Sequence, residues 1–359
     1  MPADSPLIET LNSIRAVDPQ WIEKARQRQL QLTKPPGSLG RLEEIANRLA
    51  GIQATLTPTV ARARIAIFAA DHGVCAEGVN PYPQAVTAQM VANFLRGGAA
   101  INALASVAGA ELQIVDAGVA FEIPSGEDAR LIRRPFGQGT ANFCVAPAMT
   151  REHAAAALSL GIELAKQATA EGCTLLAIGE MGIGNTTSAS AITAALTAMA
   201  PSEVVGRGTG ADDACVARKR SAIERALALH RTRLQDPLDI LECLAGFEIG
   251  AMCGFCLGAA ASRCAVLVDG FIATSAATLA VRMKSAVADY VIPAHRSTEH
   301  GHRALLEIIG HRPLLDLEMR LGEGTGAALA IPIVRAAVAA FTNMATFADA
   351  GVADAGEGA

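Results

Sequence analysis

Aromatic side chains are scarce. Only 4% of the 359 residues are Phe, Tyr or Trp, with a single Trp and two Tyr, although 51% are apolar. A core of that composition is filled by Ala, Leu, Ile and Val, as where helices pack closely on a sheet. The 33 glycines favour such close contacts. Basic charge is not in excess either. The net charge is −5 and no Lys/Arg stripe appears, which argues against a nucleic-acid partner. An anionic substrate would have to be held by local donors, not by a global field. Charged or polar residues interrupt each apolar run before the ~18 residues of a membrane span, so no membrane segment is expected. The opening residues, MPADSPLIETLNSIRAVD, have no basic n-region or apolar h-region and do not read as a signal peptide.

Several chemical signatures are missing too. No Walker lysine follows a glycine loop. The first apolar run ends in Asp71-His72-Gly73 instead of the G-x-G-x-x-G of a dinucleotide-binding oxidoreductase. No G-x-S-x-G is present, which weakens a hydrolase reading. His295, His300 and His302 match no zinc spacing, so neither a metal nor a cofactor is expected. Eight cysteines are scattered in mostly apolar surroundings. Cys253 and Cys256 form one C-x-x-C with no second pair, and read as small apolar residues on a helix. Buried, reduced thiols of this kind suit a cytoplasmic protein.

What is present is an alternation. Five apolar runs, at 63–74, 110–119, 173–182, 264–272 and 289–297, end in polar or glycine residues. Helical patterns lie between them at 83–108, 151–171, 185–199, 212–229, 239–261 and 273–286. This predicts an α/β fold: a mainly parallel, Rossmann-like sheet with helices on both faces. Ligands of such sheets bind outside the carboxyl ends of the strands, where these polar residues fall. Residues 1–60 and 310–359 read as helical and are expected to form a small helical domain from both chain ends. Residues 61–309 would form the large α/β domain carrying the nucleotide site.

Three glycine loops stand out. Gly182-Ile183-Gly184-Asn185-Thr186-Thr187 follows a strand and opens a helix, so it fits an anion cradle or an ordinary capped turn. It follows Glu180, a carboxylate where a phosphate site wants none. Gly206-Arg207-Gly208-Thr209-Gly210 precedes a helix with Arg218, Lys219 and Arg220; it fits a second anion contact or a flexible connection. In Leu321-Gly322-Glu323-Gly324-Thr325-Gly326 a glutamate sits between glycines. Burial would raise its pKa toward that of a general base, whereas a simple helix cap would leave it exposed.

Together, TKPPGSLGRLE, ADHGV, YPQAVTAQMVANFLRGGAAIN, GEMGIGNTTSASAI, GRGTGADD, DGFIATSAA, HRSTEHGH and LGEGTGAALAIPIVRAA resemble the nicotinate-nucleotide–dimethylbenzimidazole phosphoribosyltransferases, in order, from about residue 30 to 345. That family serves the lower-ligand branch of cobalamin biosynthesis. The resemblance implies a homodimer that transfers phosphoribose from nicotinate mononucleotide to 5,6-dimethylbenzimidazole, releasing nicotinate and α-ribazole 5′-phosphate. It implies Glu323 as general base and Glu180 beside the ribose. Tyr82, Gln89, Met181 and Leu321 would line or orient the benzimidazole slot. Gly182, Gly184, Asn185, Thr186, Gly208 and Lys219 would hold phosphate and the nicotinate carboxylate, with Ser297 also at the nucleotide. Met181 and Arg207 depart from the family pattern and leave base selectivity open. A nucleotide-binding sensor without catalysis is the alternative.

Overall fold

The computed structural model describes residues 5–124, 128–208 and 210–353. Thr209 of the second glycine loop therefore lies outside the described residues. Six strands form one sheet: β1 (Ala63–Ala70), β2 (Glu111–Gly118), β3 (Leu131–Arg133), β4 (Leu175–Met181), β5 (Ala265–Val268) and β6 (Val291–Pro293). Their order is β3-β2-β1-β4-β5-β6 and every pairing is parallel. This is the doubly wound order, with its switch point between β1 and β4.

Each of the five apolar runs supplies a strand. β1, β5 and β6 are buried throughout, as continuous apolar strands covered on both faces should be. β3 has no counterpart in the apolar pattern. It is a three-residue edge strand, half-exposed, and needs no apolar run.

Alternation along β1 separates the two faces. Phe68 packs edge-on against Phe255 of the helix Phe247–Ala261, with ring centroids 5.6 Å apart. Ile65, three residues away and on the opposite face, lies beneath Gly324 at the start of the helix Thr325–Asn343. Two expected helices are each split in two. The 83–108 pattern becomes Ala85–Arg96 and Ala100–Ala108, parted at Gly97 in the left-handed region (φ 80°). The 239–261 pattern becomes Pro237–Leu244 and Phe247–Ala261, parted at Ala245-Gly246.

Helices Pro19–Gln31, Arg41–Gln53 and Thr325–Asn343 share a satellite apolar cluster of Ala25, Leu32, Ala46, Ala50 and Phe341. Thr325–Asn343 is long and apolar enough to cross a membrane, yet more than half of it is buried inside the protein. Its residues Ala327, Ala328, Ala330 and Ile331 belong to the main core with the strands.

Candidate active site

The carboxyl ends of β4, β5 and β6 open onto one cleft of about 720 Å³, including the part open to solvent. Of the anticipated residues, Glu180, Met181, Gly182, Asn185, Thr186, Gly208, Ser297, Leu321 and Glu323 line it. All three glycine loops therefore meet at one place. Lys219 stands just behind the wall. It is buried, with Nζ 3.5 Å from Thr186 Oγ1. Gly184 serves as the N-cap of the helix Asn185–Thr197, with φ 98°. Tyr82 and Gln89 do not line the cleft and both are exposed; Asn80 is the lining residue from their neighbourhood.

Glu323 is the residue most constrained by the backbone. It lies in the left-handed region (φ 61°), between Gly322 (φ 90°) and Gly324 (φ 82°). Such a conformation costs a non-glycine residue about 1–2 kcal/mol and persists only where surrounding contacts impose it. Here Asp269, just after β5, imposes it. One carboxylate oxygen accepts from Gly326 N (2.7 Å) and Ala327 N (3.1 Å), and the other accepts from Gly324 N (3.1 Å). Asp269 thereby caps the helix Thr325–Asn343 from outside its own sequence, and the cap holds the Glu323 loop at the cleft. Beneath the loop, Gly179 of β4 leaves room for the Glu323–Gly324 backbone; any Cβ there would collide with Gly324 N.

The electrostatics follow from burial. Glu323 is 6% exposed, and desolvation raises its pKa to about 7; the backbone amide of Ile101 opposes the shift and Asp269 adds to it. Its Oε2 is buried without a hydrogen-bond partner. Glu180 is also 6% exposed. Desolvation first, then the charge of Asp269, raise its pKa to about 8, against a hydrogen bond from Asn185 Nδ2 and with further repulsion from Glu248 and Glu323. The Asn185 amide thus meets Glu180, which differs from a simple place in an anion cradle. Gly322 lies so close to Glu180 Oε1 that a side chain at 322 would displace the carboxyl. The result is two carboxyls facing one cleft, both poised to exchange protons near neutral pH.

The histidines are distributed among other tasks. His302 has its pKa lowered to about 3, by burial and then by His295, and is neutral. Its Nδ1 accepts from Ser297 N (2.9 Å), which leaves Nε2–H to meet Thr274 Oγ1 (2.9 Å). This fixes the Ser297 turn at the cleft wall. His300 Nδ1 lies 3.0 Å from Val205 O, and His295 Nε2 lies 3.7 Å from Asp269. Among the described residues, no group of three or more His, Cys, Asp or Glu is arranged to hold a metal ion.

Sequence reasoning missed Asp269, Glu299, Arg320 and Phe271 as site residues. Glu299 Oε1 accepts from Gly208 N (3.0 Å), and Arg320 Nε donates to Gly208 O (3.1 Å), so the two clamp the second glycine loop. A signal existed for Asp269, which is an Asp-Gly at a strand's carboxyl end. Arg320 sits in a loop without any local signature, and Glu299 lies within HRSTEHGH, where the histidines and Ser297 were singled out instead.

A sequence model described as phosphoribosyltransferase matches residues 14–352. The chain is 50% identical to the nicotinate-nucleotide–dimethylbenzimidazole phosphoribosyltransferase of Chloroflexus aggregans, across 97% of this chain and 98% of that protein. It is 50% identical to the protein of the same name from Geobacter metallireducens, across 96% and 98%. The crystal structure of the Thermus thermophilus protein of that name is 47% identical. It superposes with a TM-score of 0.88 over 94% of this chain and 99% of that one. With fold, cleft and extent all in agreement, the chain belongs to the nicotinate-nucleotide–dimethylbenzimidazole phosphoribosyltransferase family and is a pentosyltransferase.

Proposed function

We propose that the chain transfers the phosphoribosyl group of nicotinate mononucleotide to 5,6-dimethylbenzimidazole, with Glu323 as general base. The observation that supports this reading most is Glu323 itself: a buried carboxyl, strained into the left-handed region, with its pKa raised to about 7 and one oxygen unpartnered. Such a group accepts a proton readily at neutral pH. It takes the N–H proton of the benzimidazole as the other ring nitrogen, which carries the in-plane lone pair, bonds to C1 of the ribose. The C1–N bond to nicotinate breaks, and its electron pair returns to the ring nitrogen, which changes from a pyridinium to a neutral pyridine. No strong general acid is needed. Attack opposite the departing ring inverts C1 and gives the α-linkage of α-ribazole 5′-phosphate.

Glu180 has two roles open to it on this reading. As a carboxylate it accepts hydrogen bonds from the ribose hydroxyls and stabilises positive charge growing at C1. The pyridinium of the incoming nucleotide would itself favour that charged form. The helix start at Asn185, together with Thr186, Gly208 and Lys219, provides donors for the phosphate and the nicotinate carboxylate. We take the enzyme to be a homodimer of the cytoplasm. The first rests on the family resemblance. The second is supported by eight cysteines that are all free.

The decisive experiment is Glu323→Gln assayed for transfer from nicotinate mononucleotide to dimethylbenzimidazole. Turnover should fall about 10²–10⁴-fold, the usual worth of general base catalysis, while the nucleotide Kd by calorimetry stays within about threefold. Near-normal turnover would remove Glu323 from the mechanism. Nucleotide binding by the unaltered protein with no turnover on any benzimidazole or purine would favour a sensor instead.

A further inference from the structure

Below the first glycine loop lies an ionisable pair that the proposed mechanism does not use. His72, two residues past β1, is 1% exposed, and Glu248, in the first turn of Phe247–Ala261, is 0% exposed. His72 Nε2 and Glu248 Oε1 are 2.7 Å apart. Neither residue lines the cleft. The other polar atom of each side chain, His72 Nδ1 and Glu248 Oε2, is buried without a partner. A buried pair with two unmatched atoms is a poor way to stabilise a core; apolar side chains of the same volume do as well or better.

The surroundings show what the pair touches. The imidazole lies between two glycine segments. On one side, a Cβ at Gly182 would be 3.4 Å from His72 Nε2, and one at Gly184 would be 3.2 Å from His72 Cβ. On the other side, a Cβ at Gly246 would stand 2.6 Å from His72 Nε2 and would overlap Glu248 Oε2. A side chain at Gly246 would displace the ring, whereas one at Gly182 or Gly184 would first meet Ala70 O (2.5 Å) or Cys75 Sγ (2.7 Å). The same Cβ position at Gly182 lies 3.3 Å from Asn185 Nδ2, the group bonded to Glu180, so the imidazole and the Asn185 amide border the same side of this glycine. The loop is tied down around the ring as well. Ile183 N donates to Thr87 Oγ1 (3.1 Å), which donates in turn to Asp71 Oδ1 (2.7 Å), and Gln84 Nε2 donates to His72 O (2.9 Å).

We propose that His72 and Glu248 are positioning residues: Glu248 orients the imidazole, and the imidazole sets the height of the Gly182–Gly184 backbone, and so the aim of the Asn185–Thr197 helix start, for the anionic end of the nucleotide. This rests on the proposed function only in taking that loop as the nucleotide side of the cleft. The pair acts through backbone placement, so its loss weakens nucleotide binding more than it slows chemistry at Glu323. The hydrogen bond carries the effect, and volume alone does not.

The test compares variants that keep the bond with variants that keep only the bulk. His72→Gln retains a donor toward Glu248, and Glu248→Gln retains an acceptor. His72→Leu, and the double variant His72→Leu/Glu248→Leu, replace the pair by packing. We expect both Gln variants to keep the nucleotide KM within about threefold. The Leu variants should raise it at least about tenfold, with kcat and the benzimidazole KM changed by less than about threefold. If His72→Leu does not fold, the double variant serves, since it leaves no unpaired buried charge. A double variant with an unchanged nucleotide KM would overturn the proposal, as would equal losses in both substrates' KM. Calorimetric nucleotide binding gives the same comparison without turnover. Failure of the transferase reading would appear separately, as an unaltered protein with no activity.

Discussion

At the residue scale, the site depends on two carboxyls kept in surroundings that oppose their charge. Glu323 works as a base only when ionised, and its folded pKa of about 7 places the change near neutrality. On the proposed mechanism kcat/KM rises with pH through about 7 and levels above it. A pH–rate profile flat between pH 6 and 8 would contradict the assignment. Glu180 bears on stability in the opposite sense. Below its unfolded value, near 4.5, both states are protonated and it contributes nothing. Between 4.5 and about 8 the unfolded chain releases the proton that the folded chain keeps, so native stability falls as pH rises. Replacing Glu180 by Gln should therefore raise Tm by about 2 °C or more at pH 8, have no effect near pH 4, and impair transfer. Equal Tm shifts at both pH values would show that burial does not govern this carboxyl. Glu180 and Glu323 were both legible in the sequence because glycines beside an acid are unusual in an apolar context. Asn185 was legible as a site residue but not as the partner of Glu180, since that bond depends on the turn made by Gly182–Gly184.

At the element scale, helix starts and helix crossings decide what the strand ends can present. Asp269 accepts three backbone N–H groups from the start of Thr325–Asn343. Asparagine offers one acceptor oxygen and turns an amide N–H toward the remaining donors. Asp269→Asn should thus lower transfer at least about tenfold by loosening the Glu323 loop, with secondary structure intact by circular dichroism; unchanged kinetics would mean that the loop holds itself. A different prediction concerns the crossing of Arg151–Ala170 with Phe247–Ala261. The backbones touch there through glycine: a Cβ at Gly161 would collide with Ala251 O, and one at Gly254 with Leu158 O. Gly161→Ala should destabilise the protein by about 1–3 kcal/mol in denaturant titration. A ΔΔG near zero would show that the helices can part without penalty. The helices themselves were legible from their period. Their breaks at Gly97 and Gly246 were less so, because a glycine in a helical pattern is compatible with either continuation or a stop.

At the scale of the whole molecule, one exposed large apolar side chain lines the cleft among the described residues, Leu321 at 49%. The family resemblance implies a homodimer. Light scattering on the purified chain should then give about twice 36.9 kDa at micromolar concentration, and a monomer throughout would refute that expectation. Local sequence was enough for the five strands that carry the apolar runs and for the carboxyl-end position of the site, because apolar runs and the handedness of parallel crossovers leave few arrangements. It was also enough to mark the three glycine loops. Their convergence on one cleft was not derivable from local pattern, since residues 182, 208 and 323 are brought together only by the strand order β1-β4-β5-β6. The same holds for Asp269 beneath the Glu323 loop, for Glu299 and Arg320 around Gly208, and for His72 on Glu248, 176 residues away. Such pairings are contacts between distant segments, chosen by packing, and only the folded chain brings the partners within reach.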